Sequence, residues 1–150
     1  MKPKKSKNLH AIASKYNIGL IYIFGSQVQT AKDLLDGIKK NPADRLTDID
    51  IGLVFLKELP GPKERIKLYS SIYNELEDLI TPFPLDLVFL QETHSVFQAR
   101  AICGECIYCV SKEYKEEYED SILRRAADFR PFLELYLDEL LEEVGVDAYR

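Results

Sequence analysis

The sequence has no apolar run long enough to cross a bilayer, no excess of basic residues and no fourth cysteine. Each absence removes a class of function. The longest stretch free of strongly polar residues runs only from Ile18 to Gly25, far short of the ~20 residues a spanning helix needs. A membrane role is therefore not expected. Net charge is −5, so no global positive field draws in nucleic acid, and a long DNA or RNA template is a poor candidate for substrate. Residues 1–8 are rich in lysine, but no apolar segment follows them directly, which argues against a secretory signal and for a cytoplasmic protein. Those eight residues read as a flexible, solvated basic tail.

Cys103, Cys106 and Cys109 stand at C-x2-C-x2-C spacing. An odd number without a signal sequence argues against a disulfide framework. Tetrahedral zinc is normally closed by four ligands, and the only histidine nearby is His94. The ferredoxin-type run also needs a fourth cysteine. Alternation across residues 105–110 reads instead as a short strand in which cysteine is a small hydrophobe.

What is present fits a single domain, 1–150: an apolar share of 46% and a charged share of 30% are those of a globular chain able to bury a core. There is no internal repeat, low-complexity block or long linker. Three apolar, β-branched segments read as strands: residues 18–24, 46–55 and 84–90. Helical spacing marks residues 9–16, 27–40 and 63–80, the last with Ile66, Tyr69, Ile72, Tyr73, Leu76 and Leu79 inward. Residues 91–103 resume helix. Residues 112–144 read as one long helix or a pair kinked at Pro131, with Tyr118, Ile122, Ala126, Phe129, Leu133, Tyr136, Leu140 and Val144 as its stripe. Strands alternating with helices predict an α/β (α+β) fold, a mixed sheet flanked by helices with a long C-terminal helical segment.

The chemistry concentrates in the second strand. Asp48 and Asp50 sit at i and i+2, so they point to one face with Cα atoms roughly 6.6–6.8 Å apart. Unpaired anions beside apolar residues are costly unless a cation or donors neutralise them, which points to a divalent cation. The third strand carries a lone acid, Asp86. The first ends at Gly25-Ser26, where glycine permits close backbone approach and Ser26 is placed to cap the next helix.

Phe24-Gly25-Ser26, Thr47-Asp48-Ile49-Asp50 and Leu85-Asp86-Leu87 together resemble the signature elements of the DNA polymerase beta-like nucleotidyltransferase superfamily, in its minimal nucleotidyltransferase (MNT) branch. Residues 97–108 are similar to the family's closing helix and short strand, and Asp128-Phe129-Arg130-Pro131 is similar to the C-terminal helix of small bacterial members. The resemblance implies magnesium-dependent transfer of a nucleoside monophosphate, usually AMP from ATP, onto a hydroxyl. Small members of the branch resemble antitoxins that modify a HEPN-type toxin, so a HEPN-type partner protein is the implied acceptor. On this account Asp48, Asp50 and Asp86 hold two magnesium ions, Asp86 serves the acceptor hydroxyl, and Gly25 and Ser26 hold the β and γ phosphates. Two departures stand out: Gln29 occupies a position where the family commonly has arginine, and the segment 27–47 is longer than usual. Two further readings stay open, a catalytically silent binding module and a small-molecule (antibiotic-type) nucleotidyltransferase. A homo-oligomer is also left open.

Overall fold

A computed structural model of the chain describes residues 4–41 and 48–128, with Leu135 and Asp138 beyond them. Its centre is β1 (Ile18–Phe24), in which every side chain is buried. A strand apolar at successive positions needs cover on both faces, and the rest of the fold supplies it. β2 (Ile49–Phe55) and β4 (Glu105–Cys109) pair antiparallel with β1 on either side, and β3 (Leu85–Phe89) pairs parallel with β2. The four strands lie in the order β3-β2-β1-β4. The fold is thus α/β with a mixed sheet.

The larger core covers one face. There Ile21, Ile23, Ile49, Ile51, Leu53, Leu85 and Leu87 meet three helices, α1 (Lys4–Lys15), α2 (Val28–Leu35) and α3 (Pro62–Ile80). The smaller core covers the other. Leu20, Tyr22, Phe24 and Val54 meet α4 (Ser95–Ile102) and α5 (Lys112–Asp128) through Ala101, Phe97, Tyr114 and Tyr118. Two hydroxyls lock this second layer. Tyr22 donates to Glu119 at 2.6 Å, and Tyr118 donates to the buried Gln98 at 2.7 Å. Burial pushes both phenols well above their ordinary range.

Several boundaries differ from those expected. Residues 4–8 form the start of α1 rather than part of a tail, because Leu9 and Ile12 anchor the helix to the core and the lysines extend it as good helix formers. α2 stops at Leu35 instead of residue 40, where Gly37 takes a left-handed φ of 86°. Ile66 is 68% exposed rather than inward. A helix of 19 residues is about 28 Å long and overhangs strands of five to seven residues, about 17–23 Å. Its buried residues all lie in the second half, from Ile72 to Ile80, while the partly exposed Tyr69 still reaches β3, donating to the Leu87 carbonyl at 3.0 Å and packing its ring on Phe89. α4 begins at Ser95, not residue 91, since Leu90–Glu92 form a separate short turn and His94 caps the helix, its Nδ1 accepting from Phe97 N–H at 3.3 Å. Of the long C-terminal helix, residues 112–128 are helical as expected, with Ile122 and Ala126 buried. Its remainder, including Pro131, lies outside the described residues. No helix among the described residues is long and apolar enough to cross a membrane.

The joint between α4 and β4 is the tightest in the second layer. Gly104 lies against the Ile23 carbonyl oxygen and the Phe24 Cα, where a β-carbon would fall inside contact distance of backbone that cannot swing aside. Gly104→Ala is therefore expected to lower the free energy of unfolding by about 1–3 kcal/mol, as overpacking does, measured by urea denaturation.

Candidate functional site

Asp50 is the second residue of β2, between Ile49 and Ile51, which both point into the larger core. Side chains alternate along a strand, so Asp50 emerges on the opposite face. It is in register with Phe24, the last residue of β1, and with Asp86, the second residue of β3. Parallel in-register neighbours present their side chains to the same face, so the two carboxyls face each other at the strands' starts. Asp50 is half-buried and Asp86 exposed. Asp48 lies just ahead of β2, exposed, and its charge also bears on Asp50.

Gly25 closes the site from the β1 side. Its φ is +79°, a left-handed conformation that side-chain-bearing residues adopt only at a cost. A β-carbon there would run into Asp50 Oδ2. The position thus needs glycine twice over. Ser26 follows in a 3-10 turn, Gly25–Gln27, and its hydroxyl accepts from Gln27 Nε2 at 3.3 Å. The expectation that Ser26 caps the next helix is corrected: Gln27 occupies the N-cap of α2, with no side-chain capping bond. The left-handed glycine inserts a tight turn before the α-helix starts, which moves the cap downstream. Gln29 lies along α2, donating to Asp33 at 3.0 Å.

The electrostatics are unbalanced. Burial, a hydrogen bond shared with Asp86 and the Asp86 charge push the Asp50 carboxyl up to about 6, and the Asp48 charge adds to this. Arg100, in the last turn of α4, pulls the other way. Sequence reasoning assigned Arg100 no role, because nothing in the spacing shows which side of a short helix meets the end of β1. The same acids reach α3: burial and then Asp86 raise Tyr69, and burial, Glu77 and, less strongly, Asp48 and Asp86 raise Tyr73.

The donor set fits a hard cation. It is oxygen-only, with two facing carboxyls, and burial and the facing Asp86 make Asp50 hold its proton tightly. Among the described residues, no three His, Cys, Asp or Glu side chains gather closely enough to hold an ion unaided. Asp48 therefore stands apart from the Asp50–Asp86 pair, and a bound ion would draw the rest of its shell from water and substrate oxygens, as magnesium does. The three cysteines are free thiols, Cys106 half-buried with its thiol pushed up to about 11, chiefly by burial.

The sequence model of the family described as polymerase beta, nucleotidyltransferase matches residues 7–113, from α1 to the start of α5. No curated protein matches the sequence. Among solved structures, a chain of the toxin–antitoxin pair MntA–HpeT, bearing two aspartate-to-glutamate changes, superposes with a TM-score of 0.63 at 14% identity, over 91% of this chain and 98% of that one. A toxin–antitoxin with AMP-PNP gives 0.61 at 16% identity, over 91% and 98%. The complex of tri-AMPylated Shewanella oneidensis HEPN toxin with MNT antitoxin gives 0.59 at 15%, over 94% and 99%. At these identities the likeness is one of fold.

Because folded Asp50 binds its proton more tightly than the unfolded chain does, metal-free stability falls as pH rises from about 4 through about 6 and does not recover above. Asp50→Asn removes that cost while keeping a group that can bond to Asp86. Without divalent cations, the variant should be more stable than the parent near neutral pH by on the order of 1 kcal/mol after solvent screening. For a chain of this length that is a melting-temperature rise of about 2–4 °C, shrinking at about pH 4. A variant that melts lower than the parent near neutral pH would show that Asp50 is structurally paired rather than strained.

Proposed function

The chain belongs to the polymerase beta nucleotidyltransferase family, and from that premise we propose that it transfers AMP from ATP to a hydroxyl of a HEPN-type partner protein, as the antitoxin of a toxin–antitoxin pair. The observation that carries the reading is the register of Asp50 with Asp86 beside Gly25, which sets two facing carboxyls against a turn with no side chain in the way. The MNT–HEPN complex with its AMPylated toxin and the AMP-PNP complex, both of the same fold, support the choice of nucleotide and partner.

In this reading residues 1–150 act as one nucleotidyltransferase domain in the cytoplasm. Gly25 lets the triphosphate approach the backbone of the turn, and Ser26 offers its hydroxyl to a phosphate oxygen. Asp48, Asp50 and Asp86 would hold the two magnesium ions beside the triphosphate. Asp86, exposed on the edge strand, faces the acceptor and takes the proton of its hydroxyl. The acceptor oxygen bonds to the α-phosphorus as the bond from that phosphorus to the bridging oxygen breaks, and pyrophosphate departs. Magnesium, when bound, supplies charge neutralisation and Lewis-acid polarisation of the phosphate oxygens. The protein's own share is positioning, as in phosphoryl transfer generally.

Incubation with radiolabelled ATP, magnesium and the cognate HEPN-type protein should label that partner. The pair Asp48→Asn and Asp50→Asn should cut labelling by roughly 10²–10³-fold or more, the scale of losing a preorganised electrostatic contact. If the doubly substituted protein still neutralises the partner, the protein works by covering a surface and the catalytic reading falls.

A further inference from the structure

The last turn of α4 is held rigidly beside the end of β1. Gln98 and Ala101 are buried beneath it, and Phe97 packs edge-on against Phe24 with ring centroids 5.8 Å apart. Gly104 N–H donates to Ala101 O at 3.0 Å, and Gly104 itself abuts the backbone of Ile23 and Phe24. Arg100 occupies the exposed side of this fixed turn. One residue after Phe24 the chain turns at Gly25 across the Asp50 carboxylate.

Arg100 has no partner of its own among the described residues: it makes no ion pair and no side-chain hydrogen bond there. Several surface cations among the described residues differ in this. Lys15, Lys32, Arg65 and Arg124, for example, each hold a carboxylate within 3.2 Å. Arg100 nevertheless stands four residues before Gly104, which abuts Phe24 at the end of β1. The sheet order sets the polarity of the site. Asp86 stands on β3 at one side of Asp50, and α4 packs over β1 and β4 at the other. The Gly25–Gln27 turn lies between an acidic side and a cationic side.

We propose that Arg100 is the residue that binds the pyrophosphate portion of the nucleoside triphosphate, and so the leaving group, in the transfer assigned above. The proposal rests on that assignment and adds to it the direction in which the substrate lies, acceptor towards Asp86 and pyrophosphate towards Arg100. Negative charge grows on the bridging oxygen as its bond to the α-phosphorus breaks. Asp48, Asp50 and Asp86 can only repel that charge, so beyond the neutral donors of the Gly25–Ser26 turn the protein's own stabilisation must come from a cation on the far side. A guanidinium suits the task, because its planar fork matches phosphate oxygens two at a time and it never loses its charge. An arginine held rigid without a carboxylate partner is also free to make such contacts without breaking an ion pair.

The competing account makes Arg100 a counter-charge that only keeps Asp50 ionised. The two separate by pH. Removing the arginine raises the proton affinity of Asp50, an effect that matters near neutrality and vanishes once Asp50 is fully ionised. The test measures the affinity of parent, Arg100→Gln and Arg100→Lys for magnesium–AMP-PNP, and displacement of that probe by magnesium–pyrophosphate, at about pH 7 and about pH 9. Arg100→Gln should weaken both ligands by roughly tenfold or more at both pH values, with Arg100→Lys between it and the parent. A loss that disappears at about pH 9, or one seen for AMP-PNP but not for pyrophosphate, overturns the proposal while leaving the nucleotidyltransferase reading standing. A parent protein that binds neither ligand overturns both.

Discussion

Two carboxyls facing each other across adjacent parallel strands are the constraint around which this fold is arranged. Asp50 and Asp86 can meet only because β2 and β3 run in the same direction and start level with each other. A parallel connection cannot be made by a short turn and needs a crossover of a dozen residues or more. α3 supplies it, returning the chain from the end of β2 to the beginning of β3 with four buried residues, Ile72, Leu76, Leu79 and Ile80, holding it to the sheet. Were the same two strands joined antiparallel, Asp50 would stand opposite the far end of β3 near Val88, and Asp86 would lie alone. The length of α3 is therefore as much a part of the site as the acids themselves.

The acid pair costs stability, and the surroundings show how the fold contains that cost. Asp50 keeps partial access to solvent, and Asp86, on an edge strand, keeps more. Their backbone neighbours Ile49, Ile51, Leu85 and Leu87 are fully committed to the larger core. The strands cannot rotate to relieve the carboxyls without exposing that core, since a one-residue slip turns every side chain to the other face. Repulsion at the site is thus held in place by apolar burial on the reverse side. Gly25 adds a second conformational constraint at the same spot, a left-handed residue pressed against Asp50.

Much of this arrangement was legible in the sequence, and the parts that were not share a physical cause. The four strands and the helix expected over 63–80 follow from period-2 and period-3.6 patterns, which burial imposes directly, while the grouping of Asp50 with Asp86 comes from the family resemblance. The family followed from short motifs at Gly25-Ser26, Asp48-x-Asp50 and Asp86. What spacing could not supply was the meeting of surfaces. Ile66 fits the helical stripe of α3, but the buried part of that helix begins only at Ile72. Ser26 has the right chemistry for a cap, but the left-handed glycine before it adds a tight turn. Arg100 reads as one more exposed helix cation until the position of α4 over β1 is known.

The same distinction bears on how an acidic protein handles a polyanion. With a net charge of −5, long-range attraction of a nucleotide is not available, and salt screens what little there is beyond about 8–10 Å. Any affinity must arise within contact range, from cations bound among the carboxyls and from side chains already aimed at the phosphates. Such a site lacks what nucleic-acid binding draws on, many cations spread along a surface. The proposed substrate, a compact triphosphate that brings its own divalent ion, needs no such surface. Charge sign overall and charge placement locally thus select for different partners, and on the proposed reading the local placement at Asp48, Asp50, Asp86 and Arg100 is the one that decides.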